Sequence, residues 1–297
     1  MLSRFLACLL WVIAEQSYAA IEVVDDNGDL LRLQQPASRI VSLSPNITEV
    51  LFHIGAGSQI VGADEYSNYP PQALEITRVN NYAAANYELI LSLKADLVIA
   101  WQSGNGEKVI ESIRALGIPV FVVETRQLDD ISALFKRLGQ LSGQLAQAQQ
   151  QATEFTRRLE RLRKSNRAKA PIRTFYQIWS DPLITLNGQH IVSNVIELCG
   201  GINIFADAIP LVPYVNIESV LVADPQVIIA GASKEQQLLQ SNNWQKWDSL
   251  SAVKNQHIYA IPADLMQRHS SRILDGAQLV CDYLDRARSV QRSQTRP

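Results

Sequence analysis

Aromatic residues gather at the ends of apolar, strand-like runs. Tyr66 and Tyr69 follow "IVGA", within "EYSNYPPQ" at 65–72. Trp101 directly follows "LVIA", Tyr82 lies in "NNYAAANYE", Trp179 ends "TFYQIW" and Tyr214 lies in "LVPYVN". The Pro70-Pro71 pair cannot continue a strand or a helix interior, so Tyr66 and Tyr69 belong to a loop. Flat rings offer wide apolar area with a polar edge. In open α/β sheets, ligands bind beyond the carboxyl ends of the strands. Rings placed there by two halves of a molecule would wall in a large, flat, rigid ligand better than a sugar phosphate or a bare ion. Each ring alone is more often core than site, and the case rests on their shared location. Asp264 and Arg268 follow "HIYAIPA", again just past a strand. Four apart, they can pair with each other, which contributes little if exposed. In a cleft they can instead hydrogen-bond amides on a ligand's rim.

Catalytic patterns are missing. The sequence has no G-x-S-x-G, no H-E-x-x-H and no phosphate-binding loop. Its four histidines, His53, His190, His257 and His269, lack metal-ligand spacing. No nucleophile–base constellation supports the rival reading, an exported enzyme using Asp264 as acid or base. The 297 residues carry a formal net charge of -2, which argues against nucleic acid as a partner.

These residues need elements to hold them. "RIVSLSPNITEVLFHIG" reads as a strand at Ile40–Leu43, then Ser44-Pro45 as N-cap and first helical residue. Ile47, Val50, Leu51 and Ile54 recur at helical spacing before Gly55. "LVIA" at 97–100 and Val120–Val123 are further strands, with the helix "KVIESIRALG" between them. Alternating strands and helices imply a parallel sheet covered on both faces. From 142 to 166 the chain is polar and glutamine-rich, with one narrow apolar face at Ala152, Phe155, Leu159 and Leu162. This predicts a single long helix of about 33 Å. After it, "TFYQIW", "LITL", "VIIA" and "HIYAIP" begin a second α/β set.

An internal echo supports two lobes. Residues 86–100, "NYELILSLKADLVIA", match 216–230, "NIESVLVADPQVIIA", in register at Asn, Glu, Leu, Ile and Ala. A helix near Val192–Leu198 answers the one that starts at Ser44. The echo sets Glu88 and Glu218 at equivalent places, each two residues after a capping asparagine. Alone, each is a carboxylate favoured by the helix dipole. As a pair, they suit a partner with two similar halves.

Arg4, the apolar run Phe5–Ala14 and small residues near Ala19-Ala20 form a secretory signal pattern, expected at 1–20. We expect export to a periplasm-like compartment. Cys199 and Cys281 then remain, and an oxidising compartment favours one disulfide over two buried thiols.

At "RIVSLSPNITEVLFHIG…VG…YSNYPPQA…NYELILSLKADLVIAW" the sequence resembles the cobalamin branch of the helical-spine substrate-binding proteins. The resemblance continues through "VIELCGGINIF", "ESVLVADPQVII" and "DLMQRHSSRI" and covers essentially the whole mature chain. It implies a class III periplasmic binding protein-like fold: an N-terminal α/β lobe at 21–141, a spine helix at 142–166 and a C-terminal α/β lobe at 167–297. It implies cobalamin as transported ligand, with no catalytic cofactor and no resident metal. Tyr66, Tyr82, Trp101, Trp179 and Tyr214 would line the corrin, and Asp264 and Arg268 would meet its side-chain amides. Glu88 and Glu218 would dock on an inner-membrane ABC permease dimer with its ATPase, and Cys199 and Cys281 match the family's disulfide pair. The free protein would be a monomer. The sequence departs from that branch at Tyr82 and Val212, where tryptophan is usual, and Trp179 aligns loosely. A tyrosine at 66 or 82 also keeps haem or a ferric siderophore as the alternative ligand.

Overall fold

The computed structural model describes residues 20–81, 84–232 and 244–294. Tyr82 and the expected signal segment up to residue 19 lie outside the described residues.

The N-terminal lobe is a five-stranded parallel sheet in the order β5-β4-β3-β6-β7. Its strands are β3 (Ile40–Ser42), β4 (Ile60–Asp64), β5 (Arg78–Asn80), β6 (Leu97–Trp101) and β7 (Val120–Val123). An antiparallel hairpin, β1 (Ile21–Val24) and β2 (Leu30–Leu33), precedes it; the sequence reading did not include this hairpin. The C-terminal lobe is a four-stranded parallel sheet in the order β11-β8-β12-β13. These strands are β8 (Ile172–Gln177), β11 (Gly201–Asn203), β12 (Val227–Ala232) and β13 (Ile258–Pro262). Helices cover both faces, which is why β6, β7 and β12 are continuous apolar runs, buried throughout except at Trp101, which ends β6.

The two sheets share one grammar. Strand β3 leads through helix Pro45–His53 to its neighbour β4, as β8 leads to β11 by way of helix Ile191–Leu198. In the echoed segments, Asn86 accepts from Leu89 N and Asn216 from Ser219 N, at 3.0 and 2.8 Å. Lys94 and Asp224, at equivalent places, both adopt positive φ, 49° and 40°. Strands β6 and β12 then start at the equivalent residues Leu97 and Val227.

The linking helix begins later than expected. Helix Leu128–Ser142 ends at Gly143 in the left-handed region, and the spine runs Leu145–Asn166 rather than from Ser142. Its 22 residues extend about 33 Å at 1.5 Å per residue. Gly139 lets the pair pack closely, because a Cβ there would fall 2.3 Å from that of Ala148. Ala148, Ala152, Phe155 and Leu159 bury the spine's narrow face in a core that also contains Ile47 and Leu51 of the first lobe and Val195 and Ile196 of the second. A continuous apolar core thus joins the lobes through the spine.

Candidate ligand cleft

Loop 64–69 is built by Asp64, whose Oδ1 accepts from Tyr66 N at 2.9 Å while Oδ2 accepts from Asn80 Nδ2 at 2.8 Å. Burial pushes the Asp64 carboxyl up despite those donors. The tightened turn turns the Tyr66 ring outward, 51% exposed, just past the carboxyl end of β4. Trp101 closes β6. Its main-chain N–H donates to Asn105 Oδ1 at 2.7 Å, and Asn105 Nδ2 donates to Leu43 O at 2.9 Å. Gly104 lies against the indole, so close that a Cβ there would sit 2.1 Å from it.

From the other lobe, β13 runs into helix Ala263–Gln267, which carries Asp264 and leads to Arg268. Asp264 and Arg268 do pair, Nη2 to Oδ2, at 3.0 Å. Arg268 also crosses to the first lobe. Its Nη1 donates to Asn68 Oδ1 at 2.7 Å and its Nη2 to the Tyr66 carbonyl at 3.2 Å. His269 packs edge-on to Trp101, ring centres 5.8 Å apart. Arg268 thus brings Tyr66 and Asp264 together across the lobes, past the carboxyl ends of β4 and β13, and Trp101 joins them through His269, the residue after Arg268.

Trp179 and Tyr214 form a second group. Strand β8 stops at Gln177, so Trp179 does not end it; it lies on a separate hairpin, β9 (Trp179–Ser180) with β10 (Leu183–Ile184). Trp179 pairs with Ile184, which also bridges to Tyr214. Both rings are exposed, as is Val212. Tyr69 does something the sequence did not indicate: its ring lies 3.9 Å beneath the Arg272 guanidinium of the other lobe. Glu88 and Glu218 are exposed in the first turns of helices Tyr87–Ser92 and Ile217–Ala223. Cys199 and Cys281 are disulfide-bonded, tying helix Ile191–Leu198 to helix Ile273–Gln294.

Two further features escaped the sequence reading. One is Glu49, buried under both Arg268 and Arg272. The other is a pair of imidazoles, His190 and His269, with ring centres 5.6 Å apart. Burial pushes His190 down to about 4. Burial, then repulsion from His190, pushes His269 down to about 3. Four isolated histidines give no periodic signal of such a pairing. Among the described residues, no group of three or more His, Cys, Asp or Glu is arranged to hold a metal ion, and no helix is long and apolar enough to cross a membrane.

Two parallel α/β lobes joined by one long helix, with aromatic and polar side chains at facing strand ends, define a helical-spine binding protein. The chain belongs to the periplasmic binding protein family, whose family model matches residues 40–265. It is similar to the vitamin B12-binding protein of Vibrio cholerae serotype O1, 42% identical over 256 residues, covering 86% of this chain and 92% of that one. The crystal structure of the periplasmic vitamin B12 binding protein BtuF of Vibrio cholerae matches with TM-score 0.81 over 85% of this chain and 98% of that one, at 42% identity. The periplasmic heme-binding protein RhuT from Roseiflexus shares the fold, with TM-score 0.75 at 23% identity over 84% of this chain and 99% of that one.

Proposed function

We propose that this chain is a periplasmic carrier that captures cobalamin, or a close corrinoid, between its lobes and delivers it to an inner-membrane ABC importer. The observation that carries this is the 42% identity, over 86% of the chain, to a protein named for binding vitamin B12. The site chemistry fits. Tyr66 and Trp101 offer rings at strand ends of the first lobe, Trp179 and Tyr214 offer exposed rings on the second lobe's hairpin and the segment bridged to it, and Tyr82 belongs to the same proposed set. Asp264 and Arg268 supply an acceptor and donors for the corrin's amide rim. Arg268 does so chiefly through Nε, because both its Nη atoms already have protein acceptors. Glu88 and Glu218 present one carboxylate per lobe to a permease with two similar subunits, and the free carrier is a monomer.

Titration with cyanocobalamin, haemin and a ferric siderophore, followed by intrinsic fluorescence, tests the ligand. Cyanocobalamin should quench Trp101. Binding of haemin alone would replace the corrinoid by haem, and Tyr66→Phe and Tyr82→Phe would then alter the haemin absorption spectrum.

A further inference from the structure

Glu49 sits on the apolar helix Pro45–His53, yet its side chain is only 2% exposed. Three donors of the opposite lobe converge on it. Ser270 Oγ donates to Oε2 at 2.6 Å, while Arg268 Nη1 and Arg272 Nη1 reach Oε1 at 3.0 and 2.9 Å. All three come from the five residues 268–272, "RHSSR", which join helix Ala263–Gln267 to helix Ile273–Gln294. His269, within the same stretch, packs edge-on against Trp101 of the first lobe.

The arrangement has a physical consequence. Two guanidinium groups share one carboxylate oxygen, so Glu49 is what offsets their mutual repulsion. Its charge also directs one edge of Arg268, with Asn68 at Nη1 and with Tyr66 O and Asp264 at Nη2. Buried charges are tolerated when paired and fully hydrogen-bonded, and removing one partner leaves the others stranded. An amide at position 49 would offer one neutral acceptor to two cations.

We infer that Glu49 is a positioning residue of the cleft: it fixes the Arg268 guanidinium beside Tyr66 and sets the spacing between the lobes. This rests on the corrinoid reading above and deepens it. Glu49 touches no ligand; it acts through Arg268, with Arg272 and Ser270 as its other anchors.

A double-mutant cycle on cyanocobalamin affinity tests it, with scattering of the ligand-free proteins alongside. Glu49→Gln should weaken binding at least tenfold and enlarge the radius of gyration. In the Arg268→Gln background it should add little further loss, because residues that act as a unit are non-additive. Unchanged affinity, or a loss that adds fully to that of Arg268→Gln, would overturn the role. Should Glu49→Gln fail to fold, Glu49→Asp carries the same test, since it keeps the charge but withdraws it by one methylene. Should the wild-type chain bind no cyanocobalamin, the corrinoid reading fails; scattering then decides whether Glu49 sets lobe spacing, and an unchanged radius in the variant would end that too.

Discussion

The guanidinium of Arg272 lies 3.9 Å above the ring of Tyr69, joining the two lobes through a cation–π contact. A loop tyrosine is thus a platform for the opposite lobe. Partly shielded contacts of this kind contribute about 1 kcal/mol. Tyr69→Leu should lower the urea midpoint accordingly, while Tyr69→Phe, which keeps the ring, should leave it near wild type. Equal effects of the two changes would show that the hydroxyl, not the ring face, matters.

Gly104 is required by Trp101. A Cβ would stand 2.1 Å from the indole, and the ring is no flexible side-chain tip that can swing away cheaply. Gly104→Ala should therefore move Trp101, changing the near-ultraviolet dichroism and weakening cyanocobalamin binding several-fold, with far-ultraviolet dichroism intact. An unchanged tryptophan environment would show that the short helix Gln102–Asn105 yields instead.

Acid should destabilise the chain through its paired imidazoles. His190 and His269 have lowered pKa values in the folded state, about 4 and about 3. An unfolded histidine titrates near 6.5. Below about pH 6.5 the unfolded chain therefore binds protons that the folded chain refuses, and stability is lost as pH falls toward 4, by up to ~1.4 kcal/mol per pH unit per imidazole. His53 and His257, also lowered by burial, act in the same direction. Asp64, raised by burial, acts oppositely at lower pH. Urea titrations at pH 7 and pH 5 should show a lower midpoint in acid. His190→Asn, which keeps an acceptor for Val192 N, should flatten the difference. Identical midpoints would contradict the buried, neutral state of both rings.

The disulfide closes a separation of 82 residues. In the chain-entropy account such a crosslink contributes about 4 kcal/mol by restricting the unfolded chain. The double variant Cys199→Ser, Cys281→Ser should melt well below the oxidised protein and be indifferent to reductant, whereas the wild type should fall toward it when reduced.

Glu88 and Glu218 sit in matched first turns, each capped by an asparagine. Reversing both charges to lysine forgoes a dipole contribution of at most about 1 kcal/mol apiece. Uptake of cobalamin by cells should be abolished while the purified protein's affinity stays unchanged. Lost affinity in the double variant would sink the docking role.

Much of the framework was legible in the chain. The "LVIA" and "VIIA" strands lie where apolar runs with helical neighbours placed them, and the echo at 86–100 and 216–230 recurs as matched caps and matched positive-φ residues. Trp179 was misplaced because a continuous apolar–aromatic run hides the break after Gln177. Ser44 and Pro45 are the N-cap and first residue of their helix, as the sequence indicates. The Ser44 hydroxyl itself bonds to the Asn46 side chain.

By itself the sequence determined what depends on neighbours along the chain: strand and helix alternation, the spine's narrow apolar face and the two capped glutamates. Periodicity and capping are local, so a linear reading reaches them. The fate of Glu49 was decided by the tertiary structure. Ile47, Val50, Leu51 and Ile54 point one face of that helix into its own lobe, and from sequence Glu49 belongs to the solvent side. The second lobe covers that side and brings Ser270, Arg268 and Arg272 to the carboxylate from more than 200 residues away. Burial of a charge is set by what arrives from elsewhere in the chain, and no local spacing records it.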